Sequence, residues 1–118
     1  GNMFETFVIS EILKSYSNAG IDYRYCVSYY RGKDKKTIKD GVNERKIESE
    51  IDIIIEEDGI LYPIEIKKTE FPKANMTGAF HVLDNIDKKK RGMGAVICTC
   101  TSPGMLGDNV MAIPVWYI

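Results

Sequence analysis

The sequence predicts an α/β fold: a mixed β-sheet flanked by helices, in the order α-β-β-β-α-β-β. Three observations predict it. Apolar residues recur at helical spacing near the N-terminus, two isoleucine-rich runs flank Asp58-Gly59, and a strand, helix, strand succession follows them. A chain of 118 residues is about one domain and too short for two. Its composition, 44% hydrophobic and 28% charged with 4 prolines, is that of a globular chain and excludes a disordered or collagen-like one.

Phe4, Phe7, Val8, Ile12 and Tyr16 fall on one helical stripe, and Ser17-Asn18-Ala19-Gly20 supplies a stop, so residues 3–18 are expected to form an amphipathic helix. Tyr23, Tyr25, Val27 and Tyr29 alternate with more polar neighbours, the pattern of a first strand over 23–30. Residues 31–48 hold seven basic and four acidic side chains (7 − 4 = +3) and almost nothing apolar, which predicts a long solvated loop.

Asp58-Gly59 is a strong two-residue hairpin signal between Ile51–Glu57 and Ile60–Lys67. Register follows from it. Glu57 should face Ile60, Asp52 should face Glu65, and Glu50 should face Lys67, while Ile51, Ile53 and Ile55 meet Ile66, Ile64 and Tyr62 on a face packed against the core. Apolar spacing over 72–86 predicts a helix ended by a basic turn at Lys88–Gly92. A short buried strand over 94–100, a loop over 101–108 and a last strand over 110–113 complete the chain. A strand, helix, strand succession at this spacing implies a parallel, right-handed crossover.

Chemistry concentrates on the hairpin. Two carboxylates directly opposed on paired strands repel, so Asp52 and Glu65 call for a cation between them or for solvent to screen them. A hard divalent ion such as Mg²⁺ suits the first case, with Lys67 on the same side to assist a nucleophile or neutralise a phosphate, and Glu50 beside Lys67 as its ion-pair partner. In the second case Glu50, Asp52, Glu65 and Lys67 form only the wet face of an antiparallel hairpin.

Other function classes are limited by composition. Sixteen basic against 17 acidic residues leave a net charge of −1, so nucleic-acid affinity has to come from a local patch. Arg31, Lys33, Lys35 and Lys36, with Lys88–Arg91, are the candidates for phosphate contact. Cys26, Cys98 and Cys100 read as reduced thiols of a cytoplasmic protein, and with His81 as the sole histidine they make a poor zinc set. No apolar run reaches membrane-span length, and no glycine-rich loop carries the Lys-Ser or Lys-Thr of an ATP site.

Asp52, followed after twelve residues by Glu65-Ile66-Lys67, on a hairpin between an N-terminal helix and a crossover helix, resembles the PD-(D/E)XK or restriction-endonuclease-like nuclease superfamily. The strings Met3–Val8, Tyr29-Tyr30-Arg31, Glu50-Ile51-Asp52 and Tyr62–Thr69 look more narrowly like the C-terminal domain of unknown function that follows the ATPase domain in a family of bacterial and archaeal AAA-type ATPases. That resemblance implies a single restriction-endonuclease-like domain over residues 1–118, a C-terminal piece of a longer ATPase that carries the ATP site elsewhere. It implies Asp52 and Glu65 as ligands of Mg²⁺ or Mn²⁺, Lys67 as the catalytic lysine and an acidic residue of the first helix as support. Glu5 and Glu11 both intrude on that helix's apolar stripe, and the family pattern favours Glu5. Ile51 stands where the superfamily often has proline, and residues 36–48 are an insertion relative to the family. The expected function is a Mg²⁺-dependent DNA phosphodiesterase appended to an ATPase. The alternative is a non-catalytic module of the same fold for DNA binding, self-association or ATPase regulation.

Overall fold

A computed structural model describes the backbone of residues 2–40 and 43–118 and the side chains of 3–32 and 50–118. Helix α1 spans Asn2–Asn18. It ends where Gly20 takes φ +76° and the Gly20 and Ile21 N–H groups donate to the Ser17 and Tyr16 carbonyls. Only glycine adopts that left-handed conformation without penalty, and the two bonds close the last turn. Seven strands follow: β1 (Val27–Asp40), β2 (Asn43–Glu57), β3 (Ile60–Ile66), β4 (Lys90–Arg91), β5 (Gly94–Cys98), β6 (Gly104–Gly107) and β7 (Val110–Pro114). They form one mixed sheet in the order β1-β2-β3-β5-β7-β6, with β4 beside β3. The α/β class is therefore that of the sequence reading.

The β2–β3 hairpin has the calculated register, with Glu57 opposite Ile60 and Ile53 opposite Ile64. Asp58 and Gly59 both take positive φ, 54° and 77°, the backbone of a type I′ turn whose twist matches that of paired strands. β3, β5 and β7 run parallel, as the crossover requires.

Both faces of the sheet are covered. α1 lays Val8 and Ile12 on Ile53, Ile64, Ile66 and Ile97. On the opposite face Phe80 and Leu83 from the crossover segment pack on Ile51, Ile54 and Leu61. Burying a side chain of this size contributes about 2–3 kcal/mol. Phe7, which the helical stripe includes, is instead exposed.

Four expectations are corrected. Tyr23–Tyr25 form a 3-10 turn, because the Asp22 carboxylate accepts the Arg24 N–H and caps it; Tyr25 is exposed and β1 starts only at Val27. Residues 31–40 and 43–48, expected in a loop, instead continue β1 and β2 as a paired ribbon up to Asp40 opposite Asn43, while 41 and 42 lie outside the described residues. Two strands that satisfy each other's backbone need no apolar core, so low hydrophobicity did not exclude them. The crossover segment Ala74–Asn85 is a tight 3-10 helix broken at Thr77, whose hydroxyl donates to the Ala74 carbonyl beside the poor helix former Gly78. The region 101–108 contains strand β6, antiparallel to β7. Among the described residues no helix is long and apolar enough to cross a membrane.

Gly94 sits under Phe80, where an added Cβ would lie 2.6 Å from the ring and 3.3 Å from the Pro63 carbonyl oxygen. Gly94→Ala is expected to cost about 1–3 kcal/mol by overpacking and to lower the melting temperature by roughly 4 °C or more. An unchanged melting curve would show that Phe80 moves aside freely. Replacing residues 36–46 with a short Gly-Ser link, in contrast, should leave the melting temperature nearly unchanged, since that part of β1 and β2 pairs only with itself.

Candidate active site

The hairpin ladder stops before its end. Paired positions run only to Ile53 and Ile64, and beyond them Asp52 Oδ2 accepts the Ile66 N–H at 2.8 Å, taking the place of a strand-to-strand bond. The pairing of β1 with β2 is irregular at the same point: one residue, Tyr29, spans what two residues, Asp52 and Ile53, span on β2. Such a bulge re-aims the side chains around it. Ile51, expected beside Ile53 and Ile55, instead packs on the opposite face with Ile54 and Phe80. The Asp52 carboxylate is thereby held in the gap between β2 and β3, with only 9% of the residue exposed.

Two more carboxyl groups meet it there. Glu5 comes from the first turn of α1, and Glu65 from β3; each is within charge and hydrogen-bonding reach of Asp52. Burial, and then the Asp52 charge, raise Glu5 above the usual carboxylate range despite the nearby Arg31. The same two causes push Glu65 up to about 8, with Lys67 offsetting only part. The side chain of Glu65 is 12% exposed, and Lys67 Nζ lies 3.8 Å from its Oε1. At neutral pH Glu65 is thus mainly a carboxylic acid, within hydrogen-bonding reach of Asp52. The wet hairpin face forms only in part: Asp52 and the Glu65 side chain are largely buried, while the Glu50 and Lys67 side chains are about half exposed.

Cations border the cluster on two sides. Lys67 stands just beyond the end of β3, two residues after Glu65. Arg31, on β1, lies 4.0 Å from Glu5 and 3.9 Å from Glu50, with its guanidinium 5.2 Å from the Tyr29 ring centre. Glu50 is therefore the partner of Arg31, opposite which it stands in the sheet, and not of Lys67. The bulge at Asp52 ended the pairing that would have brought Glu50 to Lys67. The placing of Arg31 beside the acids was not read from the sequence; its only signal was the short distance from Tyr29-Tyr30 to a strand pairing with β2.

Other candidates lie elsewhere. Glu11 is two turns along α1 and pairs with Lys14 at 3.4 Å. Lys90 stands opposite Ile60 at the far end of β3, while Lys89 and Arg91 are engaged by Glu56 and Asp84. Lys33, Lys35 and Lys36 lie on the β1 ribbon, and their side chains fall outside the described residues. Cys26, Cys98 and Cys100 are free thiols, as expected.

Three carboxyl groups converging at one end of the central strands, with a lysine and an arginine around them, define an α/β domain with a partly buried acid cluster. The chain belongs to a family described as a domain of unknown function, DUF4143, whose model matches residues 42–118 and so includes Asp52, Glu65 and Lys67. No curated protein and no solved structure matches the chain.

Glu65 gives the domain a pH signature. An acid whose pKa is about 8 when folded and near 4.5 when unfolded stays protonated in the native state while the unfolded chain ionises. Stability therefore falls as pH rises between those values, by at most about 1.4 kcal/mol per unit, and levels above them. In chelator, the difference between wild type and Glu65→Gln in urea unfolding should change with pH from 5 to 8 in this direction; a pH-independent difference would show that Glu65 ionises normally.

Proposed function

We propose that this domain is a divalent-metal-dependent DNA phosphodiesterase of the PD-(D/E)XK type, attached to an AAA-type ATPase. One observation carries the reading: the Asp52 carboxylate is fixed in the strand gap by the Ile66 N–H, within reach of both Glu65 and Glu5, with Lys67 alongside. Buried acids that force one another to hold protons are costly for stability alone and are typical of functional sites.

The donor set fits a hard cation. It consists of carboxylate oxygens, and Mg²⁺ characteristically takes one or two of them and keeps several waters. Among the described residues no three His, Cys, Asp or Glu side chains form a ready-made cage, so Asp52 and Glu65 would hold the ion with water completing its shell. Once bound, Mg²⁺ or Mn²⁺ supplies Lewis acidity at the scissile phosphate. The chain's own residues do the rest. Glu65 would hold the ion as a carboxylate, Lys67 would orient the attacking water and offset charge on the phosphate, and Glu5 would support the helix side of the cluster. Arg31, with Lys33, Lys35 and Lys36 further along β1, offers cations to the DNA backbone.

The proton shared by Glu65 and Asp52 also satisfies the pair without any ion. That favours a second reading, a non-catalytic module of this fold for DNA binding, self-association or control of the ATPase. Calorimetry separates the two. Saturable Mg²⁺ or Mn²⁺ binding at pH 8, weaker at pH 6 and lost in Asp52→Asn, supports the enzyme; no binding at millimolar metal supports the module. If DNA is cut, Lys67→Met should reduce the rate about a hundredfold or more while metal binding persists. Equal rates in both proteins would assign the cleavage to a contaminant or another site.

A further inference from the structure

Beside the carboxyl cluster, α1 does not close fully on the edge of the sheet. A cleft of about 330 Å³ remains between Ile9 and Leu13 of α1, the Tyr23 turn, Val27 and Tyr29 of β1, and Ile53 of β2. Its lining is mostly apolar. Two polar members, Asp52 and Arg31, belong also to the acid cluster, so the cleft opens onto the candidate site. Tyr29 remains 68% exposed with the Arg31 guanidinium over its ring.

We propose that this cleft receives an unpaired nucleobase of the DNA strand held at the acid cluster, with the adjoining phosphate on Arg31. The inference rests on the phosphodiesterase reading and adds to it the form of the substrate: single-stranded or locally unpaired DNA in preference to intact duplex. Chemistry selects the occupant. A base needs aliphatic and aromatic walls to stack against, which Ile9, Leu13 and Tyr29 supply, and it must be out of its helix to reach them. Its phosphate needs a cation at the cleft's polar side. Arg31 is suited to this, because its contacts with Glu5 and Glu50, 4.0 and 3.9 Å, are long for ion pairs and its side chain is 44% exposed. An anion can replace those contacts at little cost. A duplex keeps its bases stacked and offers the cleft nothing apolar.

The test is fluorescence anisotropy in Ca²⁺ with a labelled single-stranded oligonucleotide and its blunt duplex, using wild type, Tyr29→Ala and Leu13→Trp. The first variant opens the cleft and the second fills it, and melting temperatures confirm that each folds. Wild type is expected to prefer the single strand. Each variant should lose about tenfold of that affinity, the scale of one base stacked on an aromatic ring, with little change for duplex. Equal single-strand affinity in all three proteins, or a wild-type preference for duplex, overturns the inference and leaves the cleft to a small molecule or a peptide. The underlying reading fails separately. Cleavage lost in Asp52→Asn but indifferent to the cleft variants keeps the phosphodiesterase and removes the base pocket. Cleft-dependent single-strand binding without metal-dependent cleavage does the reverse.

Discussion

A carboxylate that stands in for a strand-to-strand hydrogen bond organises this molecule. Because Asp52 accepts the Ile66 N–H, β2 and β3 part after Ile53 and Ile64, and a charge lies in the plane of a sheet covered on both faces. A hydrogen bond to a charged group contributes about 1.5–3 kcal/mol, and the buried charge would be far more costly without it. The neighbours adjust around that point. Ile51 turns to the other face, the Glu5 and Glu65 carboxyls are both raised above their ordinary pKa, and Lys67 and Arg31 balance the rim. Neither α1 nor β3 alone holds any of this; the acids become mutual neighbours only once the helix is docked and the hairpin is paired.

What was legible in the sequence was what is local. Asp58-Gly59 specifies its turn through two positive-φ positions, so register could be counted outwards from it and held as far as Ile53 and Ile64. The count failed beyond them. A bulge depends on the third strand, β1, whose partner residues no periodicity reveals, and so the face of Ile51 and the partner of Glu50 were misjudged. The ribbon was missed for a related reason. Apolar alternation marks strands that cover a core, and residues 35–40 and 43–48 pair without that pattern in their sequence.

The choice between Glu5 and Glu11 shows the same limit from the other direction. Both interrupt one apolar stripe, and a helical wheel cannot say which turn of the helix crosses the open end of the sheet. Docking decides it. Val8 and Ile12 seat α1 on Ile53, Ile64 and Ile66, which brings the first turn, not the third, to the gap beside Asp52. Arg31 entered the reading as one of several basic residues, and only the pairing of β1 with β2 brings it to the acids.

β1 forms one border of the sheet for fourteen residues, with partners on a single side. A free strand border of that length is a template on which a second chain can add, the first step of edge-to-edge aggregation. The sequence sets Arg31, Lys33, Lys35, Lys36 and Lys39 along it. They outnumber the acids Asp34 and Asp40 on the same strand, so two such borders brought together would repel on balance. Several of these basic residues are the ones proposed to contact DNA, and a variant stripped of them is expected to self-assemble more readily.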